Sequence, residues 1–145
     1  MKNILITGAN SYIGDSLARW LQEKPNEYTV DILDVKDSAW QKHDFSKYNS
    51  VVNVAGIAHI KETKKNKELY YKVNRDLAYE IAQKAKNEGV KQFIFFSSMS
   101  VYGVDTGVIT RNTVPRPKSN YGKSKFEAEQ LINALNDDNF RVAIV

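Results

Sequence analysis

Tyr121 and Lys125 are the two residues whose types and spacing most directly suggest chemistry. They are four positions apart in the segment Tyr-Gly-Lys-Ser-Lys, which places them one turn apart on the same face of a helix. A phenol has an ordinary pKa of about 10, and a neighbouring ammonium lowers that pKa because it favours the phenolate. A tyrosine prepared in this way can act as a general acid or base on a hydroxyl or a carbonyl.

Ser98 is the third candidate for this chemistry. It follows the apolar run Gln92–Ser97, which we interpret as a buried strand, so Ser98 should lie at the edge of a sheet where that strand ends. A hydroxyl at this position can donate to a substrate oxygen as negative charge develops there. The Tyr-x-x-x-Lys spacing is common by chance, and it becomes informative together with Ser98.

A glycine turn near the amino end is the second feature that suggests a ligand. The apolar run from Asn3 to Thr7 stops at Gly8, and from Ile13 the apolar residues follow a helical period. A strand that turns into a helix in this way places free N–H groups and the positive helix end around one point, which attracts phosphate. The candidates for binding the pyrophosphate of a dinucleotide are Gly8, Asn10, Ser11, Tyr12, Ile13 and Gly14.

Asp34 is the candidate residue for discriminating between NAD and NADP. It ends a second predicted strand, Tyr28 to Asp34, 20 residues after Gly14. A carboxylate there can accept both ribose hydroxyls and repel a 2′-phosphate, which favours NAD over NADP. A strand-end turn aspartate is the alternative, and Lys24 and Lys36 keep NADP open. Asp31 is a weaker candidate because its side chain should point to a packed face of the sheet.

The rest of the chain alternates strands with helices, which predicts an α/β fold with a doubly wound parallel sheet. The helix expected over Asn66–Asn87 should bury Leu69, Val73, Leu77, Ile81 and Ala85, while Ile13, Leu17, Trp20 and Leu21 should share one face of the first helix. The remaining expected elements are a very short strand and a turn within Ala39–Phe45, a strand over Ser50–Ala55, a helix from Asn120 capped by Ser119 or Asn120, and a strand from Arg141 to Val145.

Composition excludes several classes of protein. The 145 residues suit one domain, and a net charge of +4 that is scattered along the chain does not favour nucleic acid. Cysteine is absent and neither histidine has partners at metal-ligand spacing, so we assign no metal site. No run approaches the ~20 apolar residues of a membrane span, and no signal peptide is visible, so we expect a cytoplasmic protein.

Taken in order along the whole chain, these motifs resemble the extended short-chain dehydrogenases/reductases, and the nucleotide-sugar epimerases are the most similar branch. Ser11 stands where the family has the middle glycine of its phosphate turn, so its hydroxyl could donate to a phosphate. The matching segments are Thr7-Gly8 to Gly14, Asp34, Ala55-Gly56, Ser97-Ser98 with Val101-Tyr102-Gly103, and Tyr121 to Lys125.

The resemblance implies further site residues. It selects Ser98 over Ser97 and Ser100, because the family's catalytic Ser or Thr stands four positions before the tyrosine of Val-Tyr-Gly. Asn74 matches an asparagine that organises the active-site backbone and a water, with a surface asparagine as the alternative. The resemblance also implies cofactor contacts: Asp44 with Phe45 at the adenine edge, Ala55 and Gly56 beside the ribose and nicotinamide linker, and Tyr121 with Lys125 at the nicotinamide ribose. The alternative for Asp44 is a solvated turn aspartate. His59 is either a substrate contact or a plain loop histidine.

The activity implied is an NAD-dependent sugar 4-epimerisation through a transient keto-sugar. Tyr121 is then the general base, Lys125 lowers its pKa, and Ser98 stabilises the substrate oxygen. Met99 and Ser100 stand where the family's dehydratases carry Asp-Glu, so an epimerase or a reductase is preferred to a dehydratase. A non-catalytic dinucleotide-binding module is a further alternative, which the complete Ser, Tyr, Lys set disfavours.

The resemblance also predicts a homodimer. Because the chain stops in an apolar strand at Val145, we expect residues 1–145 to be the cofactor-binding domain at the amino-terminal part of a longer protein, without the carboxyl-terminal substrate region.

Overall fold

Five parallel strands form the centre of the computed structural model, which describes residues 1–58 and 60–145. The strands are β1 (Lys2–Thr7), β2 (Tyr28–Leu33), β3 (Ser50–Asn53), β4 (Gln92–Phe95) and β5 (Arg141–Ile144), and their order in the sheet is β2-β1-β3-β4-β5. All four neighbouring pairs run parallel. The predicted α/β fold is therefore confirmed.

Helices cover both faces of the sheet. Helix α1 (Tyr12–Gln22) lies on one face; α2 (Lys67–Tyr71), a wide π turn (Lys72–Leu77), α3 (Ala78–Asn87) and α4 (Asn120–Asn133) lie on the other. Alternate strand residues face opposite helices, so Ile4 and Ile6 pack with α1 whereas Leu5 packs with α3 and α4. No helix in the described part of the chain is long and apolar enough to cross a bilayer.

The sheet reverses its winding direction between β1 and β3. β2 lies on one side of β1 and β3 on the other, so the connections that leave β1 and β3 diverge to opposite faces. In an open parallel sheet, ligands bind in the crevice outside the carboxyl ends of the strands at such a switch point. The glycine turn follows β1 and therefore lies at this crevice.

Two local predictions were wrong. Within Ala39–Phe45 the structure has a short 3₁₀ helix, Ser38–Lys42, which begins where the Asp37 carboxylate accepts a hydrogen bond from the Ala39 N–H at 2.8 Å. In α1 only part of the predicted apolar face is buried: Leu17 and Leu21 pack against the core, whereas Ile13 and Trp20 are about half exposed. The small residues Gly14 and Ala18 also face the sheet and allow the helix to approach it closely.

The third difference is in the long helix, where the π turn changes the phase of the buried face. Leu69 is 43% exposed although it was predicted to be buried, whereas Tyr70 and Asn74 are completely or almost completely buried. A π turn contains an extra residue relative to an α turn, so a face extrapolated from Ile81 at the α period fails before the turn.

Candidate functional site

A cleft of about 340 Å³ opens at the switch point. It brings together the glycine turn, the end of β2 and the end of β3. Six of the residues predicted to bind a cofactor line this cleft, namely Gly8, Asn10, Ser11, Asp34, Ala55 and Gly56.

Gly8 is required where β1 meets the turn. Its φ of +109° lies in a region that side chains rarely allow, and a Cβ at this position would stand 2.8 Å from the backbone N of Ala55. Asn10 also adopts a positive φ, 61°, which asparagine tolerates better than most residues. The turn therefore keeps the backbone open toward the cleft.

Ser11 uses its hydroxyl inside the turn. The Oγ donates to the Gly8 carbonyl at 2.7 Å and accepts from the Gly14 N–H at 3.1 Å, as an N-cap residue does. The hydroxyl hydrogen is thus already engaged and does not serve a phosphate in this conformation. The backbone N–H groups of Tyr12 and Ile13 have no acceptor among the described residues, so they are the donors that the turn offers, while both side chains are exposed.

Asp34 and Lys36 both line the cleft. One carboxylate oxygen of Asp34 accepts from the Lys36 N–H at 2.9 Å, and the side chain is exposed at the end of β2. Asp31 is occupied elsewhere, because the Tyr48 hydroxyl donates to it at 2.6 Å and holds the pKa of its carboxyl below the usual value. Of these two acids, Asp34 is therefore the one whose exposed carboxylate lines the cleft.

Asp44 and Phe45 are not brought to the cleft. Asp44 is exposed and accepts hydrogen bonds from the Ser46 N–H at 2.9 Å and the Ser46 hydroxyl at 2.6 Å, which is the turn alternative. The Phe45 side chain is fully buried in the core, under the Lys84 ammonium. Neither residue lines the cleft, and their contact with an adenine ring stays a prediction.

A second cleft, of about 470 Å³, joins the predicted catalytic pair to the same turn. Tyr121 and Lys125 line it together with Ser11, Tyr12 and Ile13. Gly56 belongs to both clefts, and a Cβ there would meet the Lys125 Nζ at 3.4 Å. A dinucleotide lying across the turn would thus extend from Asp34 toward Tyr121.

Lys125 is an almost buried ammonium. It is 5% exposed, its Nζ donates to the Phe96 carbonyl at 2.7 Å, and the Phe95 ring lies 4.6 Å away. Burial lowers the pKa of Lys125 to about 8, and the negative charge of Glu129 opposes that change. Glu129 lies one helical turn further along α4.

The two serines after β4 differ in what their hydroxyls do. Ser97 lines the Tyr121 cleft, but its hydroxyl donates to Glu129. Ser98 lines a neighbouring cleft, and its Oγ accepts from the Ser100 N–H at 3.1 Å. Among the described residues the Ser98 hydroxyl hydrogen has no acceptor, so Ser98 keeps a hydrogen-bond donor.

Asn74 is fully buried in the π turn. Its Oδ1 accepts from the Ile57 N–H at 2.8 Å, and its Nδ2 donates to the Ile57 carbonyl at 3.0 Å and to the Ser124 hydroxyl at 3.3 Å. It therefore ties the chain after β3 to the helix that carries Tyr121. The surface alternative for Asn74 was wrong, and His59 lies outside the described residues.

The sequence analysis did not identify two acidic residues at the site, Glu129 and Glu62. Glu129 is spaced four residues from Lys125, and that spacing could have indicated it. Glu62 contacts the start of α4 from a loop almost sixty residues earlier, so only the folded chain reveals it.

A comparison with known proteins finds matches along almost the whole chain. The model of the NAD dependent epimerase/dehydratase family matches residues 4–145. UDP-glucose 4-epimerase from Vibrio cholerae is 30% identical over 99% of this chain, and an N-acetyl-alpha-D-glucosaminyl-diphospho-ditrans,octacis-undecaprenol 4-epimerase from Escherichia coli O157:H7 is 28% identical over 90%. The match covers 50% and 42% of those relatives, so the chain spans about half the length of the curated relatives it matches.

Solved structures agree on the fold. UDP-glucuronic acid 4-epimerase from Bacillus cereus in complex with NAD superposes with a TM-score of 0.81 at 22% identity, over 98% of this chain and 54% of that one. A dTDP-4-dehydrorhamnose reductase from Clostridium acetobutylicum gives a TM-score of 0.76 at 28% identity, over 98% of this chain and 52% of that one.

Proposed function

Because this chain belongs to the NAD dependent epimerase/dehydratase family, we propose that it supplies the NAD-binding and catalytic residues of a nucleotide-sugar 4-epimerase. One observation carries the proposal: Tyr121 and Lys125 line the same cleft as the glycine turn. A dinucleotide on the turn therefore has the acid–base pair at one end of its path.

The residues present fit NAD. A Cβ on Gly8 would stand 2.8 Å from the Ala55 N, and one on Gly14 would stand 2.7 Å from the Ser11 Oγ, so the tight turn needs both glycines. The N–H groups of Tyr12 and Ile13 at the start of α1 suit a pyrophosphate. Asp34 suits the two hydroxyls of an adenosine ribose, and its charge disfavours the 2′-phosphate of NADP. Lys36 in the same cleft is the feature that keeps NADP as the alternative.

In the proposed reaction, residues of this chain transfer the proton and hydrogen-bond the substrate and the cofactor. NAD, when bound, supplies a reversible hydride acceptor. The Tyr121 phenolate takes the proton of the sugar 4-hydroxyl and becomes a phenol, and the phenol returns the proton to the same sugar oxygen when the hydroxyl forms again. The Ser98 hydroxyl donates to that sugar oxygen, and the Lys125 ammonium donates to a ribose hydroxyl.

The substrate class rests on the relatives. The curated relative from Vibrio cholerae is a UDP-glucose 4-epimerase, and the Bacillus cereus enzyme acts, by its name, on UDP-glucuronic acid. We propose a nucleotide sugar for this chain as well. The homodimer and the cytoplasmic location stay predictions.

Calorimetry with NAD, followed by a turnover assay on a panel of UDP-sugars, tests the proposal. We expect measurable NAD binding and very low epimer formation by the 145-residue chain, because contacts to the remote nucleotide normally help to position the reacting sugar. Tyr121→Phe should keep NAD binding and abolish the residual turnover. A chain that binds no NAD would contradict the proposal, and rapid turnover would contradict the expected dependence on further substrate contacts.

A reductase is the second candidate, and the 28% identity to the dTDP-4-dehydrorhamnose reductase favours it. A reductase consumes one NADH or NADPH for each keto-sugar, whereas an epimerase needs only a catalytic amount of NAD. Following absorbance at 340 nm with a 4-keto nucleotide sugar therefore separates the two activities.

A further inference from the structure

We propose that Glu62 is a positioning residue for Tyr121, an inference that rests on the proposed function. Its carboxylate reaches the first turn of α4 from the loop between β3 and α2. One oxygen accepts from the Asn120 N–H at 3.0 Å and from the Asn120 side-chain amide at 3.1 Å, and the other accepts from the Tyr121 N–H at 2.9 Å.

The first turn of α4 needs this partner. The first four N–H groups of a helix have no acceptor within the helix. Ser119, the N-cap, accepts from the Gly122 N–H at 3.0 Å through its hydroxyl, and its carbonyl accepts from the Lys123 N–H at 2.9 Å as the first hydrogen bond of the helix itself. The N–H groups of Asn120 and Tyr121 remain, and Glu62 accepts both. A carboxylate also suits the positive end of the helix.

Glu62 is itself held in place on both sides. The Tyr70 hydroxyl donates to the Ile60 carbonyl at 2.5 Å. The Asn66 side-chain amide donates to the Lys61 carbonyl at 3.0 Å and accepts from the Thr63 N–H at 2.8 Å. The carboxylate is therefore presented to α4 by an ordered backbone.

Tyr70 adds a second contact to the same tyrosine. Its ring is almost fully buried and meets the Tyr121 ring edge-on, with centroids 6.5 Å apart. Glu62 thus holds the Tyr121 backbone through its carboxylate, and Tyr70 of α2 packs against the Tyr121 ring. Catalytic geometry is sensitive to such support, because a displacement of about 1 Å can cost on the order of 100-fold in rate.

The charged state of Glu62 supports this role. Burial alone would raise the pKa of Glu62, but the hydrogen bonds from Tyr121 and Asn120 outweigh burial and hold the pKa below its usual value. The carboxylate is therefore ionised at neutral pH and can accept all three hydrogen bonds.

Binding of NAD and of ADP to Glu62→Gln tests the proposal. In the proposed binding mode, ADP would occupy only the cleft with the glycine turn and Asp34, whereas NAD would extend into the cleft that Tyr121 and Lys125 line. We expect Glu62→Gln to weaken NAD binding about five- to tenfold, the effect of one lost hydrogen bond, and to leave ADP binding unchanged. Glu68→Gln, at an exposed acid in the first turn of α2, is the matched control and should change neither affinity.

A spectroscopic readout accompanies the binding measurements. With ¹³C-labelled tyrosine, the ring resonance of Tyr121, assigned through Tyr121→Phe, should move in Glu62→Gln and not in Glu68→Gln. Unchanged NAD affinity and an unmoved Tyr121 resonance would overturn the proposal, and so would an equal loss of NAD and ADP binding, which indicates general unfolding. A wild-type chain that binds no NAD contradicts the proposed function instead, and the Tyr121 resonance then still decides whether Glu62 positions this residue.

Discussion

Replacing Lys125 with methionine should change how the stability of the chain depends on pH. Burial lowers the pKa of this ammonium from 10.5 to about 8. The folded pKa is below the unfolded one, so between these values the unfolded chain binds a proton that the folded chain does not. Stability attributable to Lys125 therefore rises with pH across this window.

The size of the effect follows from the two pKa values. A pKa lowered from 10.5 to about 8 corresponds to a cost of about 3 kcal/mol for folding with the charged group at neutral pH. About 2 kcal/mol of this cost should be recovered between pH 7 and about 9.5. Above that range the pKa values of Tyr70 and Tyr71, which burial raises in the folded state, begin to act in the opposite direction.

Urea unfolding followed by the fluorescence of the buried Trp40 measures this effect. The difference in unfolding free energy between the wild type and Lys125→Met should move by about 2 kcal/mol in favour of the wild type from pH 7 to pH 9.5. Lys123→Met, at an exposed lysine of the same helix, is the control, and its difference should stay constant. Parallel pH profiles for the wild type and Lys125→Met would refute the argument that a buried charge is being titrated.

Three further predictions concern single positions. Asp34→Ala should shrink the preference for NAD over NADP in calorimetry, and equal affinities in the unmutated chain would show that Asp34 does not face the ribose. Gly103→Ala should lower the unfolding free energy measured in urea by about 3 kcal/mol, because a Cβ there would stand 2.0 Å from the Arg116 carbonyl oxygen at a φ of +64°. Gly107→Ala is the control: its φ is +113° but a Cβ would meet nothing within 4 Å, so it should cost only about 1 kcal/mol. Asn74→Ala should lower the unfolding free energy by about 2–3 kcal/mol, because it removes the partner of three hydrogen bonds, and an unchanged urea midpoint would contradict its structural role.

Features that depend on the spacing of residues within a short segment could be predicted from the sequence. The order of strands and helices follows from apolar periodicity, and the glycine turn follows from a strand that stops at Gly8. The Tyr121–Lys125 pair follows from a spacing of four on one helix. Each of these signals lies within a short segment, so no tertiary contact was needed to read it.

What could not be predicted depends on tertiary contacts. Nothing near Glu62 in the sequence indicates that it will accept the N–H of Tyr121. The resemblance selected Ser98 over Ser97 by position alone, and only the folded chain shows that the Ser97 hydroxyl donates to Glu129 whereas the Ser98 Oγ accepts from the Ser100 N–H. Asp44 and Phe45 were placed by resemblance to the family alone, and the structure gives them a turn and a core position.

Because of the π turn at Lys72–Leu77, a change in the length of this segment should alter the structure more than a change in its composition does. Removing one residue would close the turn to the α period and rotate everything before it by about 100° relative to α3. Tyr70 would then swing away from the Tyr121 ring although the hydrophobicity of the helix had hardly changed. A substitution in this turn therefore affects one side chain, whereas a single insertion or deletion rotates every residue before the turn, including Tyr70, relative to α3.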